Sequence, residues 1–270
     1  MNDYNSLLRQ KAFEIRRLII EMLAESGSGH LGGSLSSTDI LTTLYFKVMK
    51  HDPQKPTWEE RDRFILSIGH IAPALYATLA VAGYFPVNEL FTLRKLGSRL
   101  QGHPSKDAEL PGLETSSGSL GQGLGIAVGI ALALKLKKNL ARVYCLMGDG
   151  ELQEGNIWEA AMSASQYKLN NLVGIIDRNR VQIDGNTEKV MALEPLHDKW
   201  KSFGWEVSII DGHNHHEIAK ALQENHEKPH VVIAKTIMGK GIPSIEGNHL
   251  WHGKAPTPEE KTIFLQELYM

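Results

Sequence analysis

Several whole classes of protein are excluded by what this 270-residue sequence lacks. It holds one cysteine, Cys145, which rules out an intrachain disulfide framework and any all-cysteine metal centre. It lacks an excess of either charge. With 29 Lys and Arg against 31 Asp and Glu, the formal net charge is −2, so bulk attraction to nucleic acid or anionic lipid is absent. No apolar run approaches the roughly 20 residues of a membrane span. The opening MNDYNSLLRQ has no basic-then-apolar signal segment. There is no G-x-x-x-x-G-K-[ST] phosphate loop. Gly118, Gly121, Gly123 and Gly125 do not form G-x-G-x-x-G after a strand, so a nicotinamide fingerprint also fails. Aromatic and β-branched residues run throughout, against disorder. The expected class is a globular protein of the cytoplasm, with no nucleic-acid or membrane partner.

What is present alternates. Tyr4 to Glu25 reads as an amphipathic helix, with Leu7, Leu8, Ile15, Leu18, Ile19, Met22 and Leu23 on one stripe. It stops at Ser26-Gly27-Ser28-Gly29. A second helix is expected from Thr38 to about Lys50, capped by Ser36, Ser37 or Thr38. A strand over Arg63–Ile68 and helices over Ile71–Ala82 and Asn88–Leu96 follow. Ser98 to Ser119 is a long Gly-, Pro- and Ser-rich loop, a length that marks function or disorder. Leu120 to Lys138 reads as an interior helix of small apolar residues.

Beyond it, strands at Arg142–Met147, Leu172–Asp177, Trp205–Ile210 and Val231–Thr236 alternate with helices at Gly155–Tyr167 and His215–Glu227. Such alternation specifies parallel βαβ units covered on both faces. Gly239 to Pro256 is a second long loop. Thr257-Pro258-Glu259-Glu260 then opens a final helix with a threonine cap and a glutamate three residues on. One α/β domain over residues 1–270 is the simplest account.

The sharpest chemical signal is Gly148-Asp149-Gly150 after a buried strand, with Asn179 just past the next one. Ligands of open parallel sheets sit beyond the carboxyl ends of the strands. There Asp149, Asn179 and the Val181 carbonyl offer hard oxygens suited to Mg²⁺, which keeps open positions for water and phosphate. Gly150 lets the backbone approach a diphosphate. Taken alone, GDG is as readily a turn and Asn179 a loop asparagine. The run from Asp211 to His216 reads as a turn and helix cap rather than a metal site, and Cys145 as inert packing.

The full stretch GDGELQEGNIWEAAMSASQYKLNNLVGIIDRNRVQIDG resembles the thiamine diphosphate and Mg²⁺ motif of transketolases. SGHLGGSLSSTDIL, ILSIGHIAPALYATL, LQGHPS, SGSLGQGLGIAVG and HLWHGKAP stand in the family's order, and together the segments cover most of residues 10 to 256. The resemblance implies a three-layer α/β/α thiamine diphosphate-binding fold with a mostly parallel central sheet. It places Mg²⁺ (or Ca²⁺) on Asp149, Asn179 and Val181. Diphosphate contacts fall on His70, Gly150 and His252, with Gly118, Ser119 and Leu120 against the cofactor and Glu151 among its neighbours. His30 and His103 match histidines that contact sugar hydroxyls, with His252 close to both cofactor and substrate. Glu154 and Glu159 match buried glutamates at a subunit interface, thought to link the two sites.

By the same resemblance the chain is an N-terminal transketolase subunit, active in two-carbon transfer between a ketose phosphate and an aldose phosphate. A separate C-terminal subunit would supply the glutamate and aromatic pocket for the aminopyrimidine ring, in an α₂β₂ assembly. Leu31, Ile71, Ser119 and Arg180 depart from the long-chain pattern, remove no metal or diphosphate ligand, and bear on substrate choice. Alternatives are a deoxyxylulose-phosphate synthase-like or 2-oxo acid dehydrogenase subunit, a transketolase for a sulfo- or branched sugar, or a non-catalytic cofactor-binding module. The GELQEG, LQGHPS and HLWHG segments favour transketolase over the first two.

Overall fold

The computed structural model describes residues 2–269, with side chains from Asn5. Five strands form one parallel sheet: β1 (Arg63–Leu66), β2 (Val143–Gly148), β3 (Leu172–Arg178), β6 (Glu206–Asp211) and β7 (His230–Lys235). Their order across the sheet is β1-β2-β3-β7-β6. A short antiparallel hairpin, β4 (Val181–Gln182) with β5 (Gly185–Asn186), leaves the end of β3. The sheet lies between two helical layers. α1 (Asn2–Ser26), α2 (Leu31–Ser36), α3 (Thr38–Thr43), α4 (Ala72–Val81), α9 (His215–Gln223) and α10 (Pro258–Tyr269) cover one face. α5 (Gln122–Leu136), α6 (Gly155–Gln166) and α8 (Leu196–Ser202) cover the other, and α7 (Thr187–Val190) is one turn after the hairpin.

Side chains alternate across a strand, and the central strands show why both faces need cover. On β2, Val143, Cys145 and Met147 enter the core under α5 and α6, while Tyr144 and Leu146 enter the core under α1 and α4. β3 and β7 divide in the same way, Val173 and Val232 to one core and Ile176 and Ile233 to the other. The α1 stripe is buried through Leu8, Ile15, Leu18, Ile19, Met22 and Leu23, joined by Ile20. Each such side chain contributes roughly 1.5–3 kcal/mol of burial. Leu7 is exposed instead, because it falls on the solvent side of the helix.

Several local expectations change. The segment expected as one helix from Thr38 to Lys50 is preceded by a separate short helix, α2, and ends as a π turn over Leu44–Val48. Ser36 and Ser37 do not cap it; their hydroxyls donate to the carboxylate of Asp177 across the sheet edge, at 2.6 and 3.0 Å. The helix expected at Asn88–Leu96 is a 3₁₀ segment, Val87–Thr92. α5 is not wholly interior: Gln122, Gly129, Ala133 and Leu136 are exposed along one face in this chain. The helix after β6 stops at Gln223, short of Glu227. The final helix opens as expected, with Thr257 Oγ1 accepting from the Glu260 N–H and Glu260 accepting from the Thr257 N–H.

Candidate active site

Parallel pairing puts Gly148 opposite Asp177, so Asp149 and Asn179 follow adjacent strand ends. Asp149 is buried. Its Oδ1 accepts from the Gly150 N–H at 2.8 Å, and its Oδ2 from the Arg180 N–H at 2.7 Å and the Arg178 guanidinium at 2.9 Å. Asn179 is aimed by its own amide. Nδ2 donates to Asp177 at 3.0 Å, which leaves Oδ1 facing the loop, where it accepts from the Val181 N–H at 2.9 Å. Asp177 is buried and accepts from Ser36, Ser37, Thr236 and Asn179, so one carboxylate ties the α2–α3 junction and the residue after β7 to the end of β3. Burial raises its pKa against those four hydrogen bonds.

Asp149, Gly150, Asn179 and Val181 line a cavity of about 250 Å³ that also meets His70, Leu120 and His252. Arg178 pairs with Glu188 at 2.5 Å and Glu194 at 3.1 Å as well as with Asp149, so three carboxylates share one guanidinium. Burial, with Asp177 nearby and despite Arg178, lifts Asp149 to a pKa of about 6. That carboxylate is under-compensated, and a cation on its pocket side would relieve it. The donors are hard oxygens with room beside them, which suits a small divalent ion carrying water or phosphate oxygens. The residues present fit the metal and diphosphate.

Two imidazoles, His70 and His252, also line that cavity, and His30 packs against both. His30, His70 and His252 lie with ring centroids 4.8 to 5.7 Å apart. They come from three loops held by the fold: His30 before α2, His70 in the turn after β1, and His252 in the turn that follows Trp251. The last loop docks on α2 because Trp251 is buried against Phe264 and the Leu31 N–H donates to the Lys254 carbonyl. Burial depresses the pKa of all three, and repulsion from neighbouring histidines helps take His30 to about 4 and His70 to about 3. Each is therefore neutral at pH 7 and able to take or give a proton. The buried Nδ1 of His30 has no hydrogen-bond partner, a polar atom waiting for one.

The remaining expected residues divide. His103 is exposed and packs against Gly118, with its pKa lowered first by burial and then by Arg94. Gly118 has φ +146°, and a Cβ on Gly69 would lie 2.7 Å from the Gly118 nitrogen. Only glycines let these two loops approach so closely. Leu120 is half-buried at the cavity and Ser119 is exposed. Glu154 borders the cavity but is exposed, and Glu159 lies on the open face of α6 away from it. Glu151 touches the cavity rim, yet its carboxylate is buried and engaged elsewhere. It accepts from the Ser67 hydroxyl, from the Gly121 N–H at 2.9 Å and from the Gly148 N–H at 3.1 Å.

Sequence reading missed Asp177, Arg178 and Arg94. Asp177 looked like an ordinary strand end, and its role depends on serines 140 residues away. Arg94 had one local sign, a left-handed φ of 60° in a non-glycine residue, which sequence does not display. It is exposed and adds positive charge beside His30 and His103. A larger groove of about 740 Å³ lies elsewhere, between α1 and the loop after β7. There Arg16 and His213 both meet Asp39, at 2.6 and 2.8 Å, and Lys240 meets Glu246 at 3.2 Å. Asn214 caps α9 there and His215 bonds Thr43, as the turn-and-cap reading of 211–216 expects.

Comparison with known proteins gives these features a context. Residues 8–268 match the family described as transketolase, thiamine diphosphate binding domain. An apulose-4-phosphate transketolase subunit from Phocaeicola vulgatus is 45% identical over 94% of this chain and 90% of its own. The 6-deoxy-6-sulfo-D-fructose transketolase subunit SqwG of a Clostridium species is 45% identical over 99% of this chain and 98% of its own. Human transketolase is 41% identical over 97% of this chain but 42% of its own. Among solved structures, transketolase from Campylobacter jejuni superimposes with a TM-score of 0.92 at 35% identity, over all of this chain and 43% of that one.

Proposed function

Because this chain belongs to the transketolase family, as its thiamine diphosphate-binding domain, we propose that it serves a transketolase whose sugar is one of the less common phosphorylated or sulfonated ketoses. The general chemistry is two-carbon transfer by one subunit of a split enzyme. The substrate reading is supported by the relatives matched almost end to end, which are separate subunits named for apulose 4-phosphate and for 6-deoxy-6-sulfo-D-fructose. Leu31, Ile71 and Ser119 sit beside His30, His70 and Gly118, on the loops that border the substrate side of the proposed site.

The observation that carries the reading is the pairing of two walls. Hard oxygens from Asp149, Asn179 and Val181 form one, and the neutral imidazoles of His70 and His252 the other, with His30 packed against both rings. Asp149, Asn179 and the Val181 carbonyl would hold Mg²⁺. His70, His252 and the Gly150 N–H would hold the diphosphate, with Gly118, Ser119 and Leu120 along the cofactor. When bound, the cofactor would supply an electron sink for the negative charge left on the former ketose carbonyl carbon. His30 and His103 would orient sugar hydroxyls and exchange their protons, which suits imidazoles uncharged at neutral pH. Glu151 would act by holding the Ser67, Gly121 and Gly148 segments in place rather than by touching cofactor. Glu154, Glu159 and the bare face of α5 would be covered on assembly with the C-terminal subunit, for which α₂β₂ is the simplest arrangement.

The test is a paired assay with thiamine diphosphate and Mg²⁺. One arm holds this chain alone and the other adds the product of the adjacent reading frame. Xylulose 5-phosphate is compared with apulose 4-phosphate and 6-deoxy-6-sulfo-fructose as donors. Turnover only with both chains, and faster on an uncommon donor, is the expected result. Turnover by this chain alone would overturn the two-chain reading, and preference for xylulose 5-phosphate would overturn the sugar assignment.

A further inference from the structure

A second cluster of ligating side chains lies at the amino-terminal edge of the sheet, where α9 turns into β7. Glu224 follows the last turn of α9, His226 sits in the connecting loop, and His230 opens β7. One ligating atom from each lies within 4.8 Å of the other two. The imidazole centroids of His226 and His230 are 4.3 Å apart, and a Glu224 carboxylate oxygen is 3.4 Å from His226 Nε2. From the Lys235 end of β7, beside the Asp149 and Asn179 loops, five strand steps separate this cluster, or roughly 17 Å.

Two of the nitrogens have no use within the chain. His226 Nε2 and His230 Nδ1 are both buried and neither has a hydrogen-bond partner. His230 is only 2% exposed. Buried polar atoms are ordinarily paired, so two orphans in one cluster form an arrangement that a shared partner would complete. The other nitrogen of His230 is engaged: Nε2 lies 2.9 Å from Ser208 Oγ on β6. A ligating histidine is commonly fixed in this way, its distal N–H donating to an oxygen outside the metal's own shell. Arg142 holds the carboxylate end by donating to the carbonyls of Leu222 and Glu224 at 2.8 and 2.9 Å.

We propose that Glu224, His226 and His230 form a zinc site that clips the end of α9 to the start of β7. Two imidazole nitrogens and one carboxylate oxygen are a zinc donor set, with a fourth position left to water. The same set suits Mg²⁺ poorly, since that ion takes oxygen ligands in octahedral geometry. The site is structural, because the sugar and cofactor loops lie at the other edge of the sheet.

The experiment uses the full untagged chain stripped of metal, with Co²⁺ as spectroscopic probe and Zn²⁺ as competitor. One equivalent of Co²⁺ should give the strong d–d absorption of a four-coordinate ion, and Zn²⁺ should displace it. His226→Ala, at a half-buried loop position, should keep its far-UV circular dichroism and bind Zn²⁺ at least about 100-fold more weakly, the upper range for loss of a mere supporting contact. Ser208→Ala should weaken binding by about 10-fold. Asp149→Ala should leave the Co²⁺ spectrum unchanged. Absence of the d–d bands in the unaltered chain would overturn the proposal. So would an unchanged Zn²⁺ affinity in folded His226→Ala, or loss of the spectrum in folded Asp149→Ala.

Discussion

Glu151 offers a direct test of how the site is built, because its carboxylate accepts from three segments at once. Oε1 takes the Ser67 hydroxyl after β1 and the Gly121 N–H at the start of α5, and Oε2 takes the Gly148 N–H at the end of β2. All three partners donate, so the ionised form is the one that the geometry satisfies, although burial raises the pKa against those bonds. Glu151→Gln keeps the shape but replaces one oxygen by an NH₂ group. Oriented with its oxygen toward Ser67 and Gly121, the amide turns two donors toward each other at Gly148. One buried donor is then orphaned, at about 1–3 kcal/mol. Glu151→Ala orphans all three and adds a cavity, so its cost is at least about 3–6 kcal/mol. For a domain this large, the glutamine variant should lose roughly 2–9 °C in melting temperature. Urea unfolding followed by circular dichroism measures the difference, with an unchanged slope showing that the unfolded state is not involved. Thiamine diphosphate affinity should fall in parallel, since the three anchored segments carry the Gly150 and Gly118 loops. A glutamine variant within about 0.5 kcal/mol of the parent, the range of a neutral change, would refute the claim that the charged carboxylate ties these segments together.

Three further outcomes are expected. Asp149→Ala should make thiamine diphosphate affinity insensitive to Mg²⁺ by calorimetry while the chain stays folded, because Arg178 keeps Glu188 and Glu194 as partners; an affinity that still rises with Mg²⁺ would remove Asp149 as a ligand. His103→Ala should raise the KM for the donor sugar in the assembled enzyme and spare cofactor affinity, since the side chain is exposed at the Gly118 loop; release of the cofactor would contradict the division between the two histidine groups. The contribution of His30 and His70 to stability should fall as pH drops from 7 to 5. His30 and His70 have folded pKa values of about 4 and 3, below the ordinary 6.5, so the unfolded chain binds more protons in that window. A shift of about 1.5 pH units corresponds to about 2 kcal/mol for a fully buried imidazole, and less for the part-exposed His30 after solvent screening. Asp149, raised to about 6, opposes this by gaining a proton in the folded chain, so the readout is the difference between the parent and His70→Asn. A difference in urea midpoint that is the same at pH 7 and pH 5 would show that the imidazole is solvated.

Most of the architecture was written in local pattern. Apolar strand runs with alternating helices specify a covered parallel sheet wherever they occur, because backbone pairing and burial of both faces admit few other arrangements. The same pattern put Asp149 and Asn179 beyond successive strands, and the observed pairing of Gly148 with Asp177 makes them neighbours. Glycines at 69, 118 and 150 and the histidines beside glycine were equally legible, since they stand in contiguous motifs. The errors were those of range. Ser36 and Ser37 have the composition of helix caps, and only the folded chain brings them to Asp177, where a buried carboxylate binds the hydroxyls instead. Glu151 follows Gly150 in the motif and lines the cavity, and only the folded chain shows its carboxylate accepting from Ser67, Gly121 and Gly148.

The sequence by itself determined the fold class, the Gly-Asp-Gly motif with its downstream asparagine and the roster of histidines, because each depends on residue type and spacing along a few turns of chain. Tertiary structure alone decided which imidazoles share a wall, that Arg178 partly neutralises Asp149, and that His226 and His230 face one another at the far edge of the sheet. These are contacts between segments distant in sequence or shaped by burial. Their energies depend on how much water is excluded and which groups remain unpaired, which no local pattern records.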